Sequence, residues 1–525
     1  MSIPVIDIFA GPGGLGEGFS ALRRGGEPVF KIKLSIEKDF HAHQTLELRA
    51  FYRQFPDRKA PAEYYKYLAG RLSREALFEK FPEEARKASD EAWHIELGGK
   101  HFSETQIDAR ICGAIGKRVN WVLIGGPPCQ AYSIVGHSRV IGGEGLAAYE
   151  ADPKHHLYEH YLRILSIHQP PVFIMENVKG LLSARYKSEG IFQRILKDLK
   201  HPLGAMRWAG NPMHQEALEY QLMPLAAGSG ELLANLSHTE PRHFVLRAED
   251  YGIPQARHRI IVLGIRADLR LVPIPLQKSQ AVSVAEVIAD LPKLRSGLSR
   301  EADSPEGWRD AVLEITDSTW LRNDTLPGGL REALLRASAR VRQGLGRGGR
   351  FLEGMSIPAK CPGWFLDKRL QGVCNHETRV HIREDLHRYF FAAVFAKEFK
   401  RSPLLEDLPK ALLPEHANVE AALKETKFND RFRVQMAGRP STTIVSHIAR
   451  DGHYYIHYDP AQCRSLTVRE AARLQTFPDN YFFEGPRTQQ YQQVGNAVPP
   501  LLAKKIADIV ADLLQPSCPN PDTRV

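Results

Sequence analysis

The sequence has no long apolar run and very little cysteine. No uninterrupted apolar stretch approaches the roughly 18 residues that a transmembrane helix needs. The apolar start of the chain ends at a glycine turn, unlike a secretory signal, and the six cysteines are too unevenly spaced for a disulfide framework. We also find no internal repeat. These absences exclude membrane, disulfide-stapled and solenoid classes and predict a cytoplasmic protein.

A metal-binding motif is also lacking. Cys361 and Cys374 precede His376 and His381, but their spacing matches no common zinc site. We therefore assign no metal.

The length and charge indicate a large protein that suits a polyanionic partner. With 525 residues, 43% of them hydrophobic, the chain exceeds the usual size of one domain, so we expect two lobes. The net charge of +9 also describes many proteins without such a partner. Basic side chains crowd one glycine-containing stretch, where they would either contact phosphates or form a solvated helix face: Arg331, Arg336, Arg340, Arg342, Arg347 and Arg350.

One cysteine lies at the predicted carboxyl end of a strand. The apolar run Trp121-Val-Leu-Ile124 predicts a buried parallel strand, and Gly125-Gly-Pro-Pro-Cys-Gln-Ala-Tyr-Ser133 follows it as a turn. Ligands of open α/β sheets bind at this edge, so Cys129 is a candidate nucleophile. The glycine-rich continuation from Ser133 to Gly145 would be either a mobile lid or a plain surface loop.

A second strand runs into a glycine turn. Val5-Ile-Asp-Ile-Phe-Ala-Gly-Pro-Gly-Gly-Leu-Gly-Glu-Gly-Phe19 reads as strand, turn and helix, a pattern that brings backbone close to a ligand. Phe9 and Glu37, which closes the next strand-like run, add a ring and a ribose-hydroxyl acceptor. Together they indicate an adenosine-containing cofactor, although nicotinamide and flavin binders share such a turn.

Three further patterns end or begin at the same predicted sheet edge. Glu176 closes the strand Pro171-Val-Phe-Ile-Met-Glu-Asn-Val178 as either a desolvated acid or a helix cap. Gln255, Arg257 and Arg259 share one strand face, as anion ligands or as a solvated edge. Asn496 is expected in a loop before an amphipathic helix, where it would bind a ligand or tie the turn to itself.

Taken together, these motifs resemble those of the DNA cytosine-5 methyltransferases. Six of them occur in the family's order: Asp7-Ile-Phe-Ala-Gly11, Gly126-Pro-Pro-Cys-Gln130, Glu176-Asn-Val178, Gln255-x-Arg-x-Arg259, the run from Arg464 to Pro478, and Gly495-Asn-Ala-Val-Pro499. They lie within residues 1 to about 265 and about 440 to 515.

The resemblance implies a role for each matching residue. Cys129 resembles the attacking thiol, Glu176 the acid at the pyrimidine ring, and Arg257 with Arg259 the groups that steady base and thiolate. Gln130, Ser133 and Gln255 are expected near the DNA substrate. The residues that the resemblance assigns to S-adenosylmethionine are Phe9, Ala10, Gly11, Gly13, Glu37, Asp108, Pro128, Asn496 and Val498.

The fold and domains follow from the same resemblance. We expect an α/β architecture in which a doubly wound, Rossmann-like class I methyltransferase lobe carries a smaller inserted target-recognition lobe. The boundaries are residues 1–268 for the catalytic lobe with an insertion at 40–100, 269–438 for target recognition, and 439–525 for the return to the catalytic lobe.

The implied function is methyl transfer from S-adenosylmethionine to C5 of a flipped cytosine in specific double-stranded DNA. Restriction-modification or phage defence is the expected setting, with cognate restriction or defence proteins as partners and a monomer acting on DNA in the nucleoid. The alternatives are a tRNA cytosine-5 methyltransferase and a catalytically silent DNA-binding module. The long recognition interval argues against the first, and the presence of Cys129 and Glu176 against the second.

Overall fold

The computed structural model describes residues 2–128, 156–186, 189–208, 218–226, 240–415, 419 and 429–515. Its centre is an eight-stranded sheet in the order β6-β8-β5-β4-β1-β2-β3, with β7 paired to β8. The strands are β1 Ile3–Ile8, β2 Phe30–Glu37, β3 Ala92–His94, β4 Val122–Gly125, β5 Val172–Val178, β6 Tyr220–Met223, β7 Val245–Arg247 and β8 His258–Arg266.

The direction of the strands creates a crevice in the sheet. Strands β1 to β5 are mutually parallel, and β8 runs antiparallel to β5. From β1 the chain first builds outward to β2 and β3, then returns to place β4 and β5 on the other side of β1. Ligands of doubly wound sheets bind at such a reversal, which here lies between β1 and β4.

Helices cover both faces of this sheet, as the alternation of apolar strands and amphipathic segments predicts. The helices of the first half of the chain are α1 Gly14–Ala21, α2 Phe40–Gln54, α3 Ala62–Leu68, α4 Arg74–Lys80, α5 Pro82–Glu91, α6 Glu104–Ile115, α7 His156–His168, α8 Ile191–Lys200 and α9 Pro202–Trp208. Helix α1 packs with the last helix of the chain on one face, and α6, α7 and α8 pack on the other.

The remaining helices belong to the second half. They are α10 Val284–Ile288, α11 Pro305–Leu313, α12 Thr319–Asn323, α13 Leu330–Ser338, α14 Pro362–Phe365, α15 Arg383–Phe399, α16 Val468–Leu474, α17 Arg487–Asn496 and α18 Pro500–Leu514. A hairpin of β9 Gly348–Glu353 with β10 Gly372–Glu377 completes the regular structure, apart from strands of two residues.

The segment at 40–100 forms helices α2 to α5 and then strand β3. The spacing of residues in Ala62-Glu-Tyr-Tyr-Lys-Tyr-Leu68 is typical of a helix, and α3 has these bounds. The helices share a small core around Phe51, Tyr64 and Leu77, which also includes Leu370 and Phe482 from later in the chain. The segment is therefore more than an appendage, because it adds a strand to the sheet and packs on the second half.

The interval 269–438 has its own core, which the return segment shares. Helices α11, α13 and α15 pack around Trp308, Leu334 and Phe391, and Ile456 and Cys463 join them from beyond residue 438. Thr467 caps α16 with the capping box that its sequence predicts. Within the described residues, no helix has the length and apolar character needed to cross a membrane.

Candidate active site

The turn after β1 is shaped by backbone conformations that glycine supports. Phe9, Gly11 and Gly13 all have positive φ, at 55°, 57° and 91°. A Cβ on Gly14 would lie 2.2 Å from the carbonyl oxygen of Val498, so the first turn of α1 meets the final segment of the chain backbone to backbone. Only glycine permits this approach, which closes one side of the site.

Glu37 at the end of β2 is held against this turn. Its Oε2 accepts a hydrogen bond of 2.7 Å from the N–H of Gly11, and its Oε1 accepts one of 2.7 Å from the N–H of Asp39. Burial raises the pKa of Glu37, while these two backbone donors act to lower it. The carboxyl group is thus fixed in orientation before any ligand binds.

A cavity of about 400 Å³ opens where these elements meet. It brings together residues from seven separate parts of the sequence, and the strand order places the turns after β1, β2 and β4 beside one another. Of the candidates for S-adenosylmethionine, those that line it are Phe9, Ala10, Gly11, Glu37, Pro128, Asn496 and Val498. Gly13 lies one residue before Gly14, which does line it.

Glu176 lines the same cavity from β5. Arg259 on the neighbouring strand β8 places its Nε 3.0 Å from Glu176 Oε1. A Cβ on Gly126 would lie 2.9 Å from Glu176 Oε2, so this glycine leaves the room that the carboxylate occupies. Glu176 is therefore no helix cap, because it lies within strand β5, two residues before its end, and lines the cavity.

Asn177 fixes the turn that leads to the candidate nucleophile. Its Nδ2 donates a hydrogen bond of 3.0 Å to the carbonyl oxygen of Pro127, and its Oδ1 accepts one of 2.8 Å from the N–H of Val178. The two-proline turn is thus tied to the end of β5. Cys129, Gln130 and Ser133 come next in the chain and lie outside the described residues, as does the glycine-rich segment up to Gly145.

The structure does not bring Asp108 to the cavity. Asp108 lies in the middle of α6, where it forms an ion pair with Arg163 and accepts a hydrogen bond of 2.9 Å from Nε2 of His168. Burial acts to raise the pKa of Asp108, but these two partners hold it below its usual value. The carboxylate links α6 to α7, so it is a helix-to-helix contact.

Another acid that the sequence analysis missed does line the cavity. Glu96 follows β3, the strand beside β2, and its Oε1 lies 2.9 Å from Nζ of Lys38. It was missed because α2 to α5 separate β3 from β2, and the whole segment reads as added helices. The signal in the sequence is the short run Trp93-His-Ile95, which is followed by an acid, much as the apolar run of β2 ends in Glu37.

Gln255 and Arg257 are buried and bond to other segments of the protein, so they do not share a ligand-facing strand surface. Gln255 Oε1 accepts from the N–H of Ile444, while Arg257 donates to the carbonyl oxygens of Ile444 at 2.6 Å and Gly495 at 3.2 Å. Burial and the guanidinium of Arg259 lower the pKa of Arg257. The side chain therefore holds the return segment to the catalytic lobe, beside Arg259.

Asn496 is the last residue of α17 and does not lie in the expected loop. The helix presents a row of amides to the cavity, namely Gln489, Gln492, Gln493 and Asn496. Gln493 is already bonded to Thr45 and to the carbonyl oxygen of Glu484. Helical spacing brings these residues to one face, which a loop assignment for Asn496 could not reveal.

The histidines after Cys374 are engaged with the protein. His376 bonds to Thr467 and to the carbonyl oxygen of Pro292, and His381 bonds to Ser465. Burial lowers the pKa of His376 to about 4 and of His381 to about 3. Across the described ranges, no group of three or more His, Cys, Asp or Glu side chains is placed to hold a metal.

The chain is similar to known proteins along most of its length. The model of a family described as C-5 cytosine-specific DNA methylase matches residues 101–202 and 239–511. A type II methyltransferase of Bacillus paralicheniformis is 32% identical over 530 residues, covering 97% of this chain and 99% of that protein. A DNA (cytosine-5-)-methyltransferase of Aeropyrum pernix is 27% identical over 425 residues, covering 75% and 81%. The solved structure of an Entamoeba histolytica methyltransferase aligns with a TM-score of 0.43 at 11% identity, covering 98% of each chain.

Proposed function

The chain belongs to the C-5 cytosine-specific DNA methylase family, and from this membership we propose that it transfers the methyl group of S-adenosylmethionine to C5 of cytosine in a specific sequence of duplex DNA. The setting we propose is the modification arm of a restriction-modification or phage-defence system, because the relatives that match almost the whole chain are type II methyltransferases. The observation that carries the proposal is the single cavity shared by the glycine turn and Glu176.

The residues of the cavity fit S-adenosylmethionine. Its volume of about 400 Å³ is in the range of small-molecule sites. Two carboxylates, Glu37 and Glu96, stand at the ends of neighbouring strands, where they would accept from the ribose hydroxyls and from the adenine amino group. The turn around Gly11 brings backbone to the ligand, and Asn496 with Val498 closes the opposite side. We therefore assign the adenine contact to Glu96 in place of Asp108.

When bound, S-adenosylmethionine supplies an electrophilic sulfonium methyl group, while the protein must make cytosine C5 nucleophilic. We assign Cys129 to addition at C6, which raises electron density at C5. Glu176 would donate a proton or a strong hydrogen bond to N3, and Arg259 would hold that carboxyl group in place. A general base removes the C5 proton before the thiol is eliminated. The reacting cytosine must leave the duplex, at a cost of about a few kcal/mol.

The domain assignment remains part of the proposal. The interval 269–438 is the target-recognition lobe, and the return segment closes the catalytic lobe through Arg257 and helix α18. Neither alternative function gains support, since no feature of the described residues favours tRNA over DNA.

The Cys129→Ser variant tests the function. We expect methylation of duplex DNA to fall below detection, because a hydroxyl is a far weaker nucleophile at C6 than a thiolate. Bisulfite sequencing of DNA incubated with S-adenosylmethionine and each protein measures the product, and calorimetric titration measures binding of the methyl donor. The control is Cys112→Ser, at an exposed cysteine that does not line the cavity. Full methylation by Cys129→Ser would overturn the assignment.

A further inference from the structure

Two adjoining cavities lie where the interval 269–438 meets the return segment. The larger, of about 520 Å³, is formed by the end of α15 with residues 434–439 and 458–460. The smaller, of about 100 Å³, lies between α13 and α15. Lys397, Asp459 and Pro460 line both, so they form one continuous depression, which we call the cationic groove.

The groove has an apolar floor and a basic rim. Ala393, Ala396 and Val434 form part of the floor. Four rim side chains are exposed and form no ion pair within the described residues, and we call them the rim cations: Arg336, Arg340, Lys397 and Arg439. Lys400 adds a fifth charge, with its Nζ donating to the carbonyl oxygen of Lys397.

The acids of the groove do not neutralise this charge. Asp459 lies 3.7 Å from the ammonium of Lys293 and accepts a hydrogen bond from Gln462, so its carboxylate already has partners outside the rim cations. Glu398 is the other acid of the lining. Five cations thus face two carboxylates, one of which has a partner of its own.

Other arginines of this interval are held by groups of the protein. Arg383 pairs with Glu301 and Glu314, and Arg401 pairs with Asp407. Arg369 and Arg379 donate to backbone carbonyl oxygens instead. The rim cations have no such partner, and an anionic ligand would supply one.

The groove is joined to the active site by a short stretch of chain. Arg439 precedes Ser441, which pairs with Gln255, and Gln255 precedes Arg259 beside Glu176. The Cα atoms of Arg439 and Arg259 are therefore separated by at most roughly 26 Å, from the reach of extended chain and the spacing of strands. This is less than one turn of B-DNA, about 34 Å.

We propose that the rim cations bind the phosphate backbone of the same DNA whose cytosine enters the active site. The inference rests on the proposed function and adds to it a second contact, less than one helical turn from the modified base. A polyanion matches the surplus positive charge of the rim, whose cations come from α13, α15 and the segment at Arg439.

The test is a triple variant, Arg336→Gln, Arg340→Gln and Lys397→Gln, in the full-length protein. Its affinity for a duplex that carries the methylated site, about three helical turns long, is measured by fluorescence anisotropy at several salt concentrations. We expect the slope of log affinity against log salt to fall by roughly two to three, at about 0.9 for each lost phosphate contact. Binding of S-adenosylmethionine, measured by calorimetric titration, should stay unchanged, because none of the three lines the cavity at Glu176.

The matched control removes three exposed lysines elsewhere, with Lys31→Gln, Lys117→Gln and Lys200→Gln. Lys31 lies near the start of β2 and Lys117 precedes β4, at the edge of the sheet opposite the cavity. The control should keep the wild-type slope. A single Arg439→Gln variant should lose about one unit of slope.

The outcomes separate the groove from the function. If wild-type protein methylates DNA and the triple variant keeps its salt slope, the groove proposal is overturned and the function stands. An equal loss of slope in the lysine control would also overturn it, because the effect would then be one of net charge. If wild-type protein neither binds nor methylates DNA, both proposals fail.

Discussion

Asp7 lies in the middle of β1 with its carboxyl group fully buried. Burial raises its pKa to about 8, with a contribution from Glu37, although Arg53 and the N–H of Gly16 act to lower it. The folded protein therefore binds a proton here that the unfolded chain has released above pH 4. Stability from this site is fully present at acid pH and is lost as pH rises towards 8.

The Asp7→Asn variant should remove that dependence. We expect its stability relative to wild type to improve by about 2–4 kcal/mol between pH 5 and pH 8, since an amide cannot ionise. Denaturant unfolding at both pH values measures the difference. Asp310→Asn, at an exposed aspartate, is the control and should show no such change. An identical effect of Asp7→Asn at both pH values would contradict the buried, protonated carboxyl group.

Glu96 and Asp108 can be distinguished by cofactor binding. Glu96→Gln should raise the KM for S-adenosylmethionine about tenfold, the cost of a hydrogen bond to a charged acceptor, with little change in kcat. Asp108→Asn should leave this KM within about twofold, because it touches α7 and not the cavity. Steady-state kinetics at saturating DNA measures both. The reverse pattern would restore Asp108 as the cofactor contact.

At the scale of elements, a buried charge cluster attaches the 40–100 segment to helix α1. Glu17 of α1 accepts two hydrogen bonds from Arg49 of α2, at 2.9 and 2.7 Å, and one of 3.0 Å from Arg58. Arg53 lies 3.7 Å away. Burial acts to raise the pKa of Glu17, but these guanidinium groups lower it to about 2. One carboxylate of α1 therefore interacts with three arginines of the 40–100 segment and holds the segment against that helix.

Glu17→Gln should disrupt this charge cluster and lower the free energy of unfolding. We expect a loss of about 3–5 kcal/mol at neutral pH, because the variant leaves buried guanidinium groups without their counter-ion. The stabilisation in the wild type is present above the ordinary glutamate pKa and is lost as pH falls towards 2, so the two proteins should converge in acid. Chemical denaturation from pH 7 down to pH 3 measures this. Glu83→Gln at a fully exposed position is the control, and equal effects would refute the role of burial.

At the scale of the whole molecule, the 40–100 segment also bonds to residues of the interval 269–438. The hydroxyl of Tyr65 donates to Asp367 at 2.7 Å, and Asn480 donates to the same carboxylate oxygen at 2.7 Å. Arg350 bonds to the carbonyl oxygen of Tyr67 and stacks on the rings of Tyr67 and Phe482. The sequence analysis lists Arg350 among basic side chains that would contact phosphates or form a solvated helix face. In the structure it contacts other residues of the protein.

Exchange of residues 270–435 for those of a relative should change the DNA sequence that is methylated, because the base-reading groups are expected there. The chimera should keep Arg350 and Asp367, which hold the lobe to the 40–100 segment. Bisulfite sequencing of total DNA reads the new target. A control chimera that exchanges only residues 40–90 should keep the original target. An unchanged target after the larger exchange would refute the recognition assignment.

The sequence by itself determined the features that depend on neighbouring residues. The strands that end at Ile8, Gly125 and Val178, the helix at Ala62–Leu68 and the cap at Thr467 are set by local periodicity and turn chemistry, and the structure has them. The order of these strands was enough to predict that the glycine turn after β1, Pro128 and Glu176 lie at one edge of the sheet.

Only the tertiary structure decided which residues from distant segments meet. Glu96 reaches the cavity because β3 joins the sheet after four intervening helices, and Asp108 is turned away because α6 packs on α7. Arg257 belongs to the same sequence pattern as Arg259, but its guanidinium group donates hydrogen bonds to carbonyl oxygens of the return segment. These contacts depend on long-range packing. Buried polar groups are almost always hydrogen-bonded, and the neighbouring sequence does not reveal which distant group is the partner.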